Sequence, residues 1–451
     1  MRDHPPIRAD AGPLGIVAAA GRLPIEVAVA ALAAGRQSHI IAIEGFAAPE
    51  VAGFSHEWVN LGQLGRILAG LRRAGCRDLV IIGALERPDL WRLRFDFGAL
   101  RRLGTLLRLT RGGDDSVLRR VVRFFEAEGF AVRGIGEVAP HLLARPGVWG
   151  STAPSAPQSA MVERAARLIT ALGPFDVGQG VVADAAGIIA IEGVRGTDAM
   201  LRSLELAGPA DERSRGGVLV KLAKPDQEMR VDLPTIGPDT VAVAREAGLS
   251  GIAVGAGAAV VIDLPEIILA ADVADIFLAG IERPSLASPD NPSPAADAVP
   301  ADMSAVLAVL SRRAPTPADR RDIAVGRRLL PVLRAHGAGL AAVIAREHVL
   351  AIAGALPVDR IVSGLGRNAS WGRRTFKGQI GVLVFDIRQT GSEVSPALPG
   401  LAVFRALVEA GLAGLVCLGG PLPEAHRSEL VGWANDARVF LMAQEPAPPI
   451  E

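Results

Sequence analysis

Tyrosine is absent from this 451-residue chain, and only two cysteines are present. Cys76 and Cys417 lie far apart, each inside an apolar run. That usage excludes a disulfide framework and points to a reducing compartment. Charge of one sign is also lacking: 48 basic side chains balance 48 acidic ones. No global field therefore draws in nucleic acid or an anionic membrane, and any phosphate chemistry must arise from a local site. Long apolar runs are missing too. The longest, LSGIAVGAGAAVVI at 249–262, is cut by glycines and too short to span a bilayer. The start, MRDHPPIRADAG, lacks the basic-then-apolar order of a signal peptide, so a cytoplasmic protein is expected. There is no HExxH, Walker loop, GxSxG or cluster of Cys and His, and the seven histidines are scattered.

What is there is alternation. LGIVAA (14–19), HIIAIEG (39–45) and DLVIIGAL (78–85) read as strands, with helices at 23–35, 61–75 and 113–130. Strands alternating with helices predict a parallel sheet with crossovers, a doubly wound Rossmann-like domain over 13–144. A Pro/Ser/Gly-rich linker at 145–158 precedes an α/β catalytic domain at 159–281. In that domain 160–172, 197–207 and a segment from 238 read as helices. Segments 178–183, 187–192, 217–223, 251–256 and 276–280 read as strands. A second linker, 282–318, contains the stretch SLASPDNPSPAADAVPAD (285–302), which has too little apolar content to pack.

The last segment, 319–445, reads as a degenerate copy of the catalytic domain. VAREAGLSGIAVGAG (243–257) aligns with ALVEAGLAGLVCLGG (406–420), and GIIAIEGVRGTDAM (187–200) with HVLAIAGALPVDRI (348–361). RGGVLVKLAK (215–224) matches KGQIGVLVFDIR (377–388) around GVLV. Glycines and periodicity survive while polar positions change. Ala353 stands for Glu192, Phe385 for Lys221 and Ser395 for Asp232; Arg388 and Asp359 still echo Lys224 and Asp198. The polar groups of the first copy are therefore dispensable for folding.

Arginine replaces lysine almost everywhere, yet two of the three lysines are Lys221 and Lys224. A compact ammonium retained against that bias suits a phosphate, although an exposed strand end would also explain the pair. Gly237-Pro238 fits a helix start with proline in its first position, where free N–H groups and the dipole favour an anion. Asp232, six residues upstream, is too far away to cap that helix. Beside phosphates its carboxylate needs a cation or a proton-transfer role, and Mg2+ (or Mn2+) held by one or two carboxylates plus phosphates meets the first need. Glu192 at a strand end and Asp198 in the next turn are its candidate co-ligands; a surface strand end and a helix cap are the competing readings. In the first domain, AAAGRLP (18–24) sits where doubly wound sheets bind ligands, which singles out Gly21 and Arg22. Arg87 follows the third strand near the same sheet edge. Asp114 and Asp115 read as helix caps.

These residues carry a resemblance. GIVAAAGRLPIEVA, GALERPD, GDDSVLR, DVGQGVV, EGVRGTDAML, GGVLVKLAKP and DLPTIGPDT, in that order, resemble the metal-dependent two-domain UDP-2,3-diacylglucosamine pyrophosphatases of lipid A biosynthesis. Ala19 and Ala20 depart from the family's more glycine- or serine-rich turn. The resemblance implies Mg2+-dependent hydrolysis of UDP-2,3-diacylglucosamine to 2,3-diacylglucosamine 1-phosphate and UMP, at a site between the two domains. It makes Asp232 the essential carboxylate, and the reading of the residues themselves adds Lys221 and Lys224 as catalytic groups that offset charge on the leaving phosphate. Gln179, Thr197, Thr235 and Thr240, together with Gly21, Arg22, Arg87 and Gly237, become candidate substrate contacts. A lipid-linked nucleotide sugar as substrate implies peripheral contact with the inner membrane, and a homo-oligomer is compatible with the sequence. The tail has no counterpart in that pattern. Two alternatives are a non-catalytic nucleotide-sugar-binding protein and an NAD(P)-dependent oxidoreductase, the latter suggested by Glu44 and opposed by the missing GxGxxG.

Overall fold

The computed structural model describes residues 12–83, 96, 114–205, 216–225, 227–284, 307–365, 379–387 and 398–444. Arg87, Arg388, Ser395 and the low-apolar stretch 285–302 lie outside the described residues, as do the side chains of Asp114 and Asp115. The chain divides into two compact units. One comprises 1–147, 226–239 and 254–270, and the other 148–225, 240–253 and 271–451.

In the first unit β1 (Leu14–Ala18), β2 (Ser38–Ile43), β3 (His56–Val59), β4 (Asp78–Ile82) and β5 (Ala131–Val132) form one sheet in the order β3-β2-β1-β4-β5. Every pairing in it is parallel. The central strands β1, β2 and β4 read as largely apolar runs because both faces are covered, as a parallel sheet requires. Leu14, Ile16 and Ala18 point to one face, against Val27, Ala28 and Ala31 of α1 (Leu23–Ala33). Val17, Ile41 and Ile43 point to the other, against Ile67, Leu68 and Leu71 of α2 (Leu64–Arg73) and Val122 and Phe125 of α3 (Asp114–Ala127). Buried Asp78 is held by Arg36 at 2.8 Å and Arg133 at 2.9 Å. A short helix, α4 (Ile135–Val138), follows β5. The unit also contains a parallel ribbon of β10 (Thr235–Ile236) and β12 (Val260–Val261), whose Val260 joins the α1 core.

The second unit is built around two six-stranded sheets. The first has the order β6-β13-β11-β9-β7-β8 and the second β14-β19-β18-β17-β15-β16. Their strands are β6 (Gly147–Trp149), β7 (Gly180–Ala183), β8 (Ile188–Ile191), β9 (Val218–Lys221), β11 (Gly251–Gly255) and β13 (Phe277–Ile281), then β14 (Leu307–Val309), β15 (Ala341–Ala345), β16 (His348–Ala353), β17 (Val382–Asp386), β18 (Gly414–Pro421) and β19 (Phe440–Gln444). The helices are α5 (Ala156–Leu172), α6 (Gly196–Glu205), α7 (Pro238–Glu246), α8 (Leu264–Ala274), α9 (Pro317–Ala335), α10 (Val358–Leu365), α11 (Leu401–Ala410) and α12 (Glu424–Ala437), of which residues 238–239 of α7 and 264–270 of α8 belong to the first unit. Strand β6 falls inside the segment expected as the first linker and β14 inside the second; each supplies an edge strand to its sheet.

The two sheets match in detail. β7 runs antiparallel to β8 and β9, as β15 does to β16 and β17, and the register shifts at Val182/Ala183 and again at Val343/Ile344, positions 161 residues apart. Helix α5 is capped by Ser155 with Gln158 at its third position, and α9 by Thr316 with Asp319, so both carry a capping box. A Cβ at Gly251 would collide with the Phe277 ring and one at Gly414 with the Phe440 ring. Small-against-large packing between neighbouring strands recurs at the same place.

Cys76 and Cys417 are both buried, and burial pushes their thiols up to about 11 and about 12, so both are inert. Among the described residues no helix is long and apolar enough to cross a membrane.

Candidate active site

In the second unit the predicted residues gather at one end of the first sheet. Gly180 on β7 pairs with Lys221 on β9. On its other side Gly180 accepts a hydrogen bond from the Glu192 amide at 2.8 Å. Glu192, Gly180 and Lys221 thus form one row across three strands, and cross-strand neighbours in a row share a face. A Cβ at position 180 would collide with the Glu192 carboxylate, so only glycine leaves room for that group. Glu192 Oε2 accepts from the Thr197 hydroxyl at 3.0 Å, at the start of α6. Glu192 is 6% exposed, Lys221 6% and Thr197 7%. Neither charged residue is a solvated strand end, and burying both charges is costly unless they are paired or serve a ligand.

The other predicted residues of this unit are arranged differently. Gln179 adjoins the row, its carbonyl accepting from the Leu222 amide at 2.9 Å. Lys224 is tied to Asp176, Nζ to Oδ1 at 2.6 Å, with a second bond to the Asp176 carbonyl at 3.2 Å. Asp176 has a left-handed backbone, φ 54°, just before the Val177–Gln179 turn. Asp198 is exposed in the first turn of α6, and Thr240 is half-buried in α7.

In the first unit Asp232 is half-buried on the loop 227–234. Its Oδ2 accepts from Gln227 Nε2 at 2.5 Å, and its amide donates to the Glu228 carbonyl at 3.0 Å. The loop is pinned by Arg230, which reaches Glu228 at 2.7 Å and Glu126 of α3 at 2.7 Å. Those bonds hold the Glu228 carboxyl below its usual range and the Arg230 guanidinium above its own. Flanking side chains Val231 and Leu233 pack into the unit's two cores. The loop therefore presents one carboxylate on a rigid support. Thr235 stands on β10 with its hydroxyl donating to the Leu233 carbonyl at 3.2 Å, and Gly237 immediately precedes α7, which starts at Pro238 as expected.

At the C-terminal end of β1, Gly21 adopts φ +96° and Arg22 is the N-terminal flanking residue of α1. Arg22 is exposed and pairs with Asp263 at 2.9 Å. Sequence reasoning missed Gln227, Asp176, Arg230 and Asp263. Asp176 lies within the quoted DVGQGVV motif and could have been found there; the other three carry no periodicity, and only tertiary contact reveals them. Among the described residues no group of three or more His, Cys, Asp or Glu side chains gathers to hold a metal ion.

Residues 13–142 match the LpxI N-terminal domain and residues 145–279 the LpxI C-terminal domain. The chain is 38% identical over 279 residues to the UDP-2,3-diacylglucosamine pyrophosphatase LpxI of Caulobacter vibrioides, an alignment that covers 60% of this chain and 99% of that protein. Residues beyond 279 lie outside both domain matches. The ordered motifs, the two matched domains and near-complete coverage of the relative together show that this chain belongs to the LpxI family.

Proposed function

We propose that the protein hydrolyses the diphosphate of UDP-2,3-diacylglucosamine, giving 2,3-diacylglucosamine 1-phosphate and UMP. A water oxygen adds to the α-phosphorus, the bond from that phosphorus to the bridging oxygen breaks, and the proton of the water leaves to a base. The observation that carries the reading is the buried polar row, Glu192–Gly180–Lys221 with Thr197, at the end of an otherwise apolar sheet. A fold has no need of such a row, whereas an anionic substrate does. The relative's name and the alignment over almost all of its length supply the substrate.

In this reading Lys221 offsets charge building on the leaving phosphate, and Lys224, steadied by Asp176, does the same at the strand's exit. Thr197 fixes the Glu192 carboxylate, and Gln227 orients Asp232. The remaining contacts proposed for the substrate are Gly21, Arg22, Arg87, Gln179, Thr235, Gly237 and Thr240. The donor chemistry fits Mg2+ or Mn2+, since Glu192, Asp198 and Asp232 offer hard carboxylate oxygens and such an ion takes only one or two of them when phosphates complete its shell. Bound there, it would polarise a phosphoryl oxygen.

The same reading assigns a Rossmann-like domain to 13–144, the catalytic domain to 159–281 and a degenerate copy of that domain to 319–445, in a cytoplasmic protein touching the inner membrane peripherally. Asp232→Ala is the decisive variant. Product chromatography should show UMP release falling at least about a thousand-fold, roughly 4 kcal/mol of barrier, with the melting temperature unchanged. Full activity in that variant would refute the assignment. Phosphorus NMR of the products with Mg2+ and with chelator tests the bond cleaved and the ion together; substrate binding without turnover would mark a sensor instead.

A further inference from the structure

Two backbone hydrogen bonds in the second unit mirror one another. The Val194 amide donates to the Leu350 carbonyl at 3.0 Å, and the Ala355 amide to the Ile189 carbonyl at 2.9 Å. Val194 and Ala355 stand 161 residues apart, and so do Ile189 and Leu350. The same offset relates Gly193 to Gly354, where a Cβ on the first would strike the Leu350 carbonyl and a Cβ on the second the Ile189 carbonyl. Strands β8 and β16 are the outer strands of their sheets, so the sheets meet edge to edge and neither edge is left open. Beneath that seam one apolar cluster joins Ile169, Leu172 and Ile191 to Leu330, Leu333 and Ile352, three pairs again 161 apart. Each half thus meets the other's counterpart residues, which is the reciprocity of an isologous two-fold interface. Unrelated surfaces meeting by chance would not match counterpart to counterpart in three separate features.

We infer that residues 307–444 occupy, within one chain, the place that a second copy of residues 148–281 would take across a two-fold axis. The surface made by α5, β8 and the 193–196 turn is self-pairing, and the C-terminal half is its built-in partner. The inference rests on the proposed copy relationship and not on the reaction assigned to the chain. It bears on the site all the same. The turn between Glu192 and Thr197 is held through the Val194 amide and through Arg195, whose guanidinium donates to the Gly364 carbonyl at 2.8 Å. Arg195 acts as a positioning residue, and its counterpart in the C-terminal half is Leu356.

Light scattering and hydrogen exchange on the full chain test this. The wild-type chain is expected at the monomer mass, 46.8 kDa. Gly354→Val forces β16 from β8 and frees the self-pairing surface, so its mass should double as concentration rises. The double variant Gly193→Val/Gly354→Val, spoiled on both halves, should stay monomeric. A folded Gly354→Val chain that is monomeric at every concentration overturns the inference, and so does a wild-type dimer that Gly193→Val alone dissociates. Whether or not the variants fold, the Val194 and Ala355 amides of the native chain should both exchange slowly, and rapid exchange at either one also overturns it. No readout here depends on activity, so this inference and the assigned reaction fail separately.

Discussion

The same three-strand row occurs twice in the second unit with opposite chemistry. In the first sheet it is Glu192, Gly180 and Lys221; in the second it is Ala353, Ala341 and Phe385. Both rows are buried, with Ala353 at 2%, Ala341 at 1% and Phe385 at 3% exposure. The apolar row shows what the frame accepts when nothing else is asked of it. The polar row carries desolvated charge that packing alone would replace with hydrocarbon. Comparing them separates what the frame itself requires from what the proposed site adds to it.

The largest effect expected comes from exchanging the rows. Gly180→Ala/Glu192→Ala/Lys221→Phe should fold at least as stably as the native chain while UMP release falls by about a thousand-fold or more, roughly 4 kcal/mol. Chemical denaturation beside a product assay checks both halves of that statement, and an active triple variant removes the polar row from the mechanism. The reverse exchange probes the frame. Phe385→Lys buries an ammonium in the apolar row and should destabilise the protein by about 3–5 kcal/mol, read as a shift of the urea midpoint at constant slope.

A third difference titrates. Asp322 on α9 stands where α5 has Met161, and it is 2% exposed. Burial raises its carboxyl from 3.8 to about 6, although the Glu347 amide donates to it at 2.6 Å. The folded chain therefore holds this proton more tightly than the unfolded chain. The stability so gained is complete below about pH 4 and is lost as pH rises through 6, by about 3 kcal/mol in all. Asp322→Asn should flatten the stability profile across that window, and an unchanged slope would place the titration elsewhere. The smallest effect should fall equally on both halves: Ser155→Ala and Thr316→Ala each remove the hydroxyl of a capping box and should cost about 1 kcal/mol. Unequal losses in thermal melts would mean that the two helices do not play the same part.

Much of the architecture was legible because apolar runs and their spacing are local. The strands at 14–18, 180–183, 251–255 and 277–281 fall where alternation predicts them. His56–Val59 and Gly147–Trp149 are not legible because each is short and set among polar residues, glycine or proline, so sheet pairing, not propensity, makes them strands; Leu307–Val309 sits in a short apolar run, 305–310, hidden inside the segment that reads as a linker. The site divides in the same way. Lys221 and Glu192 could be flagged from composition and strand position. Their burial, and the glycine that makes room for the carboxylate, follow from the register of three strands. Lys224 stands out by composition as well, while its ion pair with Asp176, 48 residues away, is a tertiary contact that no local pattern announces. Gln227 reaches Asp232 across a loop whose course the cores of the first unit determine.

The two native thiols have a practical consequence. Both are enclosed and hard to ionise, so alkylating dyes and spin labels will pass them by at neutral pH. Single cysteines placed on the exterior of either compact unit can be tagged without first stripping the natural ones. Spectroscopic rulers for following this enzyme family in solution can thus be fitted to the unaltered background.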